Sequence, residues 1–164
     1  MISGDVTQKR MMKKTSITYG TFDLSHIGHI KLFQRIKEFS STLIVAVSTD
    51  EFNLTKGKKS IIPFENRFEI IKNLRCVDIV IPETSGEQKV KDIIEYKVNA
   101  LVMGSDWTGE FDFLKNYCEV IYLPRTEGVS TTLIKNSISD LKNINVESIN
   151  NALNLLQQIR SQLS

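Results

Sequence analysis

Short apolar runs alternate along this chain with longer stretches in which apolar residues recur every three or four positions. The runs Ser16–Tyr19, Thr42–Ser48, Val77–Ile81, Ala100–Met103 and Glu119–Leu123 are rich in β-branched residues and nearly free of a polar face. That is how strands covered on both sides read. Between them, Gly28–Phe39, Pro63–Leu74, Glu87–Tyr96 and Phe111–Asn116 carry helical periodicity, and Thr132–Leu141 follows the last strand. Pro63 suits the first position of its helix, where a missing N–H leaves nothing unsatisfied. Such alternation predicts right-handed βαβ units, and so an α/β protein: a Rossmann-like open parallel sheet of about five strands with flanking helices.

The two ends differ from this middle. From Ile144 to Leu163 the apolar residues Ile149, Leu153, Leu156, Ile159 and Leu163 fall on one helical face, opposite Asn, Gln and Ser. This predicts an extra C-terminal helix, which either docks on a partner or second subunit or caps the chain's own core. Met1 to Lys14 is polar and basic with no apolar centre, so it reads as a flexible arm and not as a secretion signal. The expected division is an arm at 1–14, a domain at 15–140 and a helical extension at 141–164.

Composition narrows the class. With 164 residues, 41% apolar and 24% charged, the chain fits one ordinary soluble domain. A net charge of +2 gives no reason to expect bulk binding to nucleic acid. The longest apolar run, Leu43–Val47, is too short to span a bilayer. Cys76 and Cys118 form no C-x-x-C pair and read as reduced thiols of a cytoplasmic protein.

The chemistry gathers where the predicted strands end. Gly20-Thr-Phe-Asp-Leu-Ser-His-Ile-Gly-His29 joins the first strand to the first helix and holds both histidines of the chain, His26 and His29, with Asp23 and Gly28 beside them. A helix start offers free N–H groups and the positive end of its dipole, which attract phosphate oxygens. Histidines three apart share one face. A structural role for them, or zinc with a third ligand from elsewhere, is the alternative. Lys56-Gly-Lys-Lys-Ser60 puts lysines on a loop after the second strand, where they close over phosphate or are merely solvated. Arg67 reaches phosphate or pairs with a nearby carboxylate. Asp106, in Gly104-Ser-Asp-Trp-Thr-Gly109, accepts from an amino group or holds a ribose or a metal-bound water, while Trp107 packs. Arg125-Thr-Glu-Gly-Val-Ser-Thr-Thr132 offers a guanidinium fork, a Gly turn and three hydroxyls at a helix start. Every one of these segments but Arg67's follows a strand's carboxyl end, where ligands bind in open α/β sheets. One shared phosphate site is the simplest reading.

Two of these motifs resemble a known family. Gly20–His29 is similar to the H-x-G-H signature of the nucleotidyltransferase superfamily, and Arg125–Thr132 to the R-T-x-G-[IV]-S-T-T signature of its cytidylyltransferase branch. From about Ser16 to Asn136 the chain resembles the glycerol-3-phosphate cytidylyltransferases, including Ser48–Leu54, Glu87–Lys89 and Phe111–Lys115. The resemblance implies transfer of CMP from CTP to sn-glycerol 3-phosphate, giving CDP-glycerol and pyrophosphate. It implies a CTP site of Thr21, Phe22, Asp23, His26, Gly28, His29, Lys58, Asp106, Arg125, Thr126, Glu127, Gly128, Val129, Ser130, Thr131 and Thr132. It assigns the acceptor to Lys56, Arg67, Arg75 and Lys89, and catalysis to His26, His29, Lys56, Lys58 and Arg125. Mg²⁺ is implied as arriving with CTP, with no metal held by the protein alone; a homodimer and a role in surface-glycan synthesis are implied too. The nucleophile is already an anionic phosphate, so the task is to position two anions and stabilise charge, without a general base. Gly86, Ser105 and Glu110 stand where relatives carry Trp, Asp and Lys, and bear on the acceptor more than on CTP. The competing readings are another phospho-alcohol acceptor (a polyol phosphate, phosphocholine or phosphoethanolamine) and a silent nucleotide-binding module.

Overall fold

The computed structural model describes residues 14–142 and 146–162. The chain divides into two compact units with the boundary between Gly128 and Val129. The predicted arm lies, apart from Lys14, outside the described residues, as do Ile144 and Leu163 of the predicted tail helix.

The first unit is a parallel five-stranded sheet. Its strands are β1 (Thr15–Gly20), β2 (Thr42–Ser48), β3 (Ile79–Glu83), β4 (Ala100–Gly104) and β5 (Glu119–Leu123), in the order β3-β2-β1-β4-β5. Helices α1 (Ile27–Lys37), α2 (Asp50–Thr55), α3 (Phe64–Lys72) and α4 (Gln88–Glu95), with 3₁₀ turns at Ser105–Trp107 and Asp112–Asn116, make the connections. Side-chain alternation splits the core between the faces. Ile17, Tyr19, Ile44, Ala46, Leu101 and Met103 pack with Ile93 of α4 on one side. Leu43, Val45, Val47, Ala100 and Val102 pack with Phe33 and Ile36 of α1 and Ile71 of α3 on the other. This double covering is why the strands read as continuous apolar runs.

Strand order reverses between β1 and β4. There β1 pairs with β2 as far as Gly20↔Val47, while its pairing with β4 is limited to Ser16↔Ala100 and Ile17↔Leu101. The sheet therefore opens at the carboxyl ends of β1 and β4, the crevice where such sheets bind ligands.

Several elements differ from the sequence expectation, among them the helix expected at Phe111–Asn116, which is a 3₁₀ turn over Asp112–Asn116. Strand β3 runs to Glu83 rather than stopping at Ile81, because Pro82 is harmless on an edge strand. Helix α2 lies where the sequence pattern gave no helix, just ahead of the Lys56–Ser60 loop; Thr49 caps it, its hydroxyl accepting from Phe52 N–H at 3.2 Å, and Asp50 and Glu51 suit its first turn. Pro63 is the N-cap of α3, one residue ahead of the predicted position. The second unit contains α5 (Thr131–Lys142) and α6 (Val146–Gln162). Among the described residues no helix is long and apolar enough to cross a membrane.

Candidate active site

The loop from Gly20 to His26 is bent tightly and held from below. A Cβ at Gly20 would sit 2.8 Å from Cζ of Phe22, so only glycine lets that ring fold back. The Phe22 ring then meets Phe33 at 5.2 Å and His29 at 5.3 Å, both edge-on. Phe22 and Leu24 have φ of 51° and 48°, in the left-handed region. Each costs about 1 kcal/mol or more and persists only where surroundings dictate it.

Two buried charges supply that constraint. The Asp23 carboxylate, 2% exposed, accepts from the N–H groups of Leu24 (3.1 Å), Ile61 (2.9 Å) and Ile62 (2.9 Å). Arg67, fully buried, donates to the carbonyls of Thr21 and Ile62 and, at 2.7 Å, to Asp50 Oδ1. Desolvation works the other way, but hydrogen bonds from Phe64 N–H and Arg67 hold Asp50 below the usual carboxylate range. The Thr21 hydroxyl donates to Asn53 Oδ1 of α2 at 2.9 Å. So Asp23, Arg67 and Thr21 tie the β1–α1 loop to α2 and to the segment at Ile61 and Ile62. With its guanidinium spent on these acceptors, Arg67 stands as an organiser of the loop.

His26 is the N-cap of α1, and the two histidines replace the usual Ser and Glu of a capping box. His26 Nδ1 accepts from Gly28 N–H at 3.1 Å, and His29 Nδ1 accepts from His26 N–H at 3.4 Å. A ring nitrogen that accepts a backbone N–H carries no proton, so each neutral imidazole holds its proton on Nε2. The rings stack with centroids 3.9 Å apart. Burial, with His26 adding to it, lowers the His29 pKa to about 4. Burial, and then the charge of Arg125, lowers that of His26. The first turn of α1 has no acidic residue to compete with a bound anion.

Of the other predicted residues, Arg125 lies near enough for its charge to act on His26. Arg125 and Asp106 form an ion pair at 2.9 Å, each about half exposed. Lys58 Nζ lies 5.3 Å from the centre of the Trp107 ring, and Trp107 packs on Phe111 at 5.8 Å. Thr126, Glu127 and Gly128 (φ 78°) end the first unit. Val129, Ser130, Thr131 and Thr132 begin the second, where Ser130 Oγ accepts from Leu133 N–H at 3.1 Å and so caps α5.

A second group forms at the carboxyl ends of β2 and β3. Lys56 Nζ is 3.3 Å from Ser48 Oγ and 3.8 Å from Glu83 Oε2. Lys89 Nζ donates to Glu83 Oε1 at 2.6 Å, and Ser48 donates to Glu83 Oε2. Lys89 Nζ also lies 4.5 Å from the centre of the Tyr19 ring. Tyr19 donates to Asp92 at 2.9 Å, and burial followed by that carboxylate raises its pKa. Beside Lys89 a cleft of about 360 Å³ is lined by Gly86, Glu87, Val90, Phe111 and Phe113. Ser48, Glu83 and Asp92 were not singled out in the sequence. Ser48 ends the second expected strand and opens a segment of the family resemblance, and Glu83 lies two residues past the expected end of the third strand. Arg75 is placed apart: it is exposed in the turn before β3, at the amino-terminal end of the sheet.

The chain is similar to known proteins in sequence and in fold. The sequence profile of a family described as cytidylyltransferase-like matches residues 17–137. The chain is 58% identical to a glycerol-3-phosphate cytidylyltransferase of Bacillus subtilis, over 79% of this chain and 100% of that protein. It is 55% identical to the protein of the same name from Staphylococcus aureus, over 76% of this chain and 95% of the other. Among solved structures, the lipopolysaccharide core biosynthesis protein from Thermoplasma volcanium superposes with a TM-score of 0.60 at 23% identity, over 70% of this chain and 98% of that one, a likeness of fold.

Proposed function

The chain belongs to the cytidylyltransferase-like family, and we propose that it transfers CMP from CTP to sn-glycerol 3-phosphate, forming CDP-glycerol and releasing pyrophosphate. The observation that carries the chemistry is the pair of neutral imidazoles whose Nδ1 atoms are taken by backbone N–H groups, leaving two Nε2–H donors at a helix start.

A phosphate oxygen of glycerol 3-phosphate attacks the α-phosphorus of CTP in line. The bond from that phosphorus to the bridging oxygen breaks, and the electron pair leaves with pyrophosphate. No proton has to be removed from the nucleophile. His26 and His29 donate from Nε2 to the nucleotide's phosphates, most strongly as charge builds on the departing oxygen. Lys56 and Lys89 hold the acceptor phosphate, and Lys58 and Arg125 offset charge on the nucleotide. On the motif alone, Thr126 to Thr132 joins the CTP-binding set.

The donors around the imidazoles suit phosphate oxygen and not a hard cation. Asp106 is paired with Arg125, and Asp23 is spent on backbone N–H groups. When bound, Mg²⁺ would come with the nucleotide's phosphates and would offset their charge. A homodimer, a cytoplasmic location and delivery of CDP-glycerol to a surface glycan complete the proposal, on the strength of the sequence motifs.

Pyrophosphate release tests this reading. The purified protein is given CTP or ATP, with Mg²⁺, against glycerol 3-phosphate and other phospho-alcohols. Release that requires both CTP and glycerol 3-phosphate is expected. Release only with another phospho-alcohol moves the acceptor, and silence from folded protein that still binds CTP rejects transfer altogether.

A further inference from the structure

We propose that Glu83 is a positioning residue that sets Lys56 and Lys89 as a matched pair for the acceptor's phosphate, an inference that rests on the cytidylyl-transfer reading above. Glu83 closes β3 and is 3% exposed. Its two carboxylate oxygens face different partners. Oε1 accepts from Lys89 Nζ at 2.6 Å, while Oε2 accepts from Ser48 and lies 3.8 Å from Lys56 Nζ. One planar group therefore fixes the spacing of two ammonium groups that arrive from different elements and would otherwise repel. The side chain of Lys89 is 7% exposed and that of Lys56 is 32% exposed, so Lys89 anchors the cluster and Lys56 meets the solvent. One carboxylate against two ammonium groups leaves a single positive charge, enough to attract a phosphate dianion.

The same carboxylate keeps Lys56 charged. Burial lowers the Lys56 pKa, Glu83 from β3 opposes the fall, and Lys58 from the same loop, Lys89 from α4 and Arg67 from α3 deepen it. Without Glu83, every charged neighbour of Lys56 pushes its proton off.

The test is steady-state kinetics of Glu83→Gln and Glu83→Asp across pH 7 to 10, with wild-type protein, CTP and glycerol 3-phosphate as reference. Glu83→Gln is expected to raise KM for glycerol 3-phosphate about tenfold, leave KM for CTP within about twofold, and move the alkaline fall of kcat/KM to lower pH. Glu83→Asp keeps the charge but is one methylene short of reaching both lysines. It restores the alkaline limb while KM stays high. Ser48→Ala, which removes one partner of Glu83 and no charge, serves if Glu83→Gln fails to fold. It is expected to raise KM a few-fold with the alkaline limb unmoved. A folded Glu83→Gln protein with wild-type KM and an unmoved limb overturns the inference, as does an unchanged KM in Ser48→Ala. No pyrophosphate from the wild type overturns the parent reading and this one with it.

Discussion

The two halves of the site meet anions by different means. At the start of α1 the donors are neutral, and the contacts that orient them span two or three residues. At the ends of β2 and β3 the donors are charged, and the carboxylate that arranges them lies 27 residues from Lys56 and 6 from Lys89, by their numbers. The imidazole rings are oriented by local backbone contacts, while Asp23 and Arg67 hold the loop that precedes them. The lysine half is held by one buried carboxylate shared between two ammonium groups. A neutral donor suits the leaving side of the reaction, where charge appears only in the transition state. A fixed cation suits the incoming acceptor, which is charged from the outset.

That difference predicts unequal losses. The largest is expected for His26→Ala or His29→Ala: a fall in kcat of about 10²–10³ each, the cost of one preorganised donor, with KM for glycerol 3-phosphate little changed. The double variant should lose less than the product of the two, since the rings orient one another. Lys56→Ala should do the opposite, raising KM for glycerol 3-phosphate about 10- to 100-fold with a smaller change in kcat. If both variants affect kcat and KM alike, the division between the halves fails.

The imidazole half should also leave a mark on stability. A histidine whose pKa is lowered to about 4 in the folded protein against 6.5 in its absence binds fewer protons folded than unfolded between those values. Its stabilising contribution is fully present above pH 6.5 and is lost as pH falls towards 4. Urea unfolding at pH 7 and pH 5 should differ by about 2 kcal/mol from this group, and His29→Gln should shrink the difference. The smallest effect on the fold is expected for Arg125→Ala. Its ion pair with Asp106 is about half exposed, so Tm should barely move while KM for CTP rises.

The same contrast explains what the sequence revealed. The imidazole site was legible because its parts are neighbours: Gly20, the two histidines and the helix start are one continuous signal. The sheet was legible because both its faces are covered. Glu83 was hidden because its role depends on β3 lying beside β2, and it falls past Ile81, where the apolar run ends. For Arg67 the sequence left phosphate and a neighbouring carboxylate both open; the fold brings Asp50, Thr21 and Ile62 to it, and the carboxylate it pairs with is Asp50. Asp23 likewise read as a site residue, while its carboxylate is spent holding Ile61 and Ile62.

The most direct test of the neutral-donor claim is a ¹⁵N NMR titration of the histidine rings. The chain has two histidines, so the spectrum is simple to assign with His26→Gln as a control. The account predicts that in the free protein both rings carry their proton on Nε2 at pH 7, with His29 staying neutral until about pH 4. A His29 ring that titrates near 6.5, or that holds its proton on Nδ1, would contradict it.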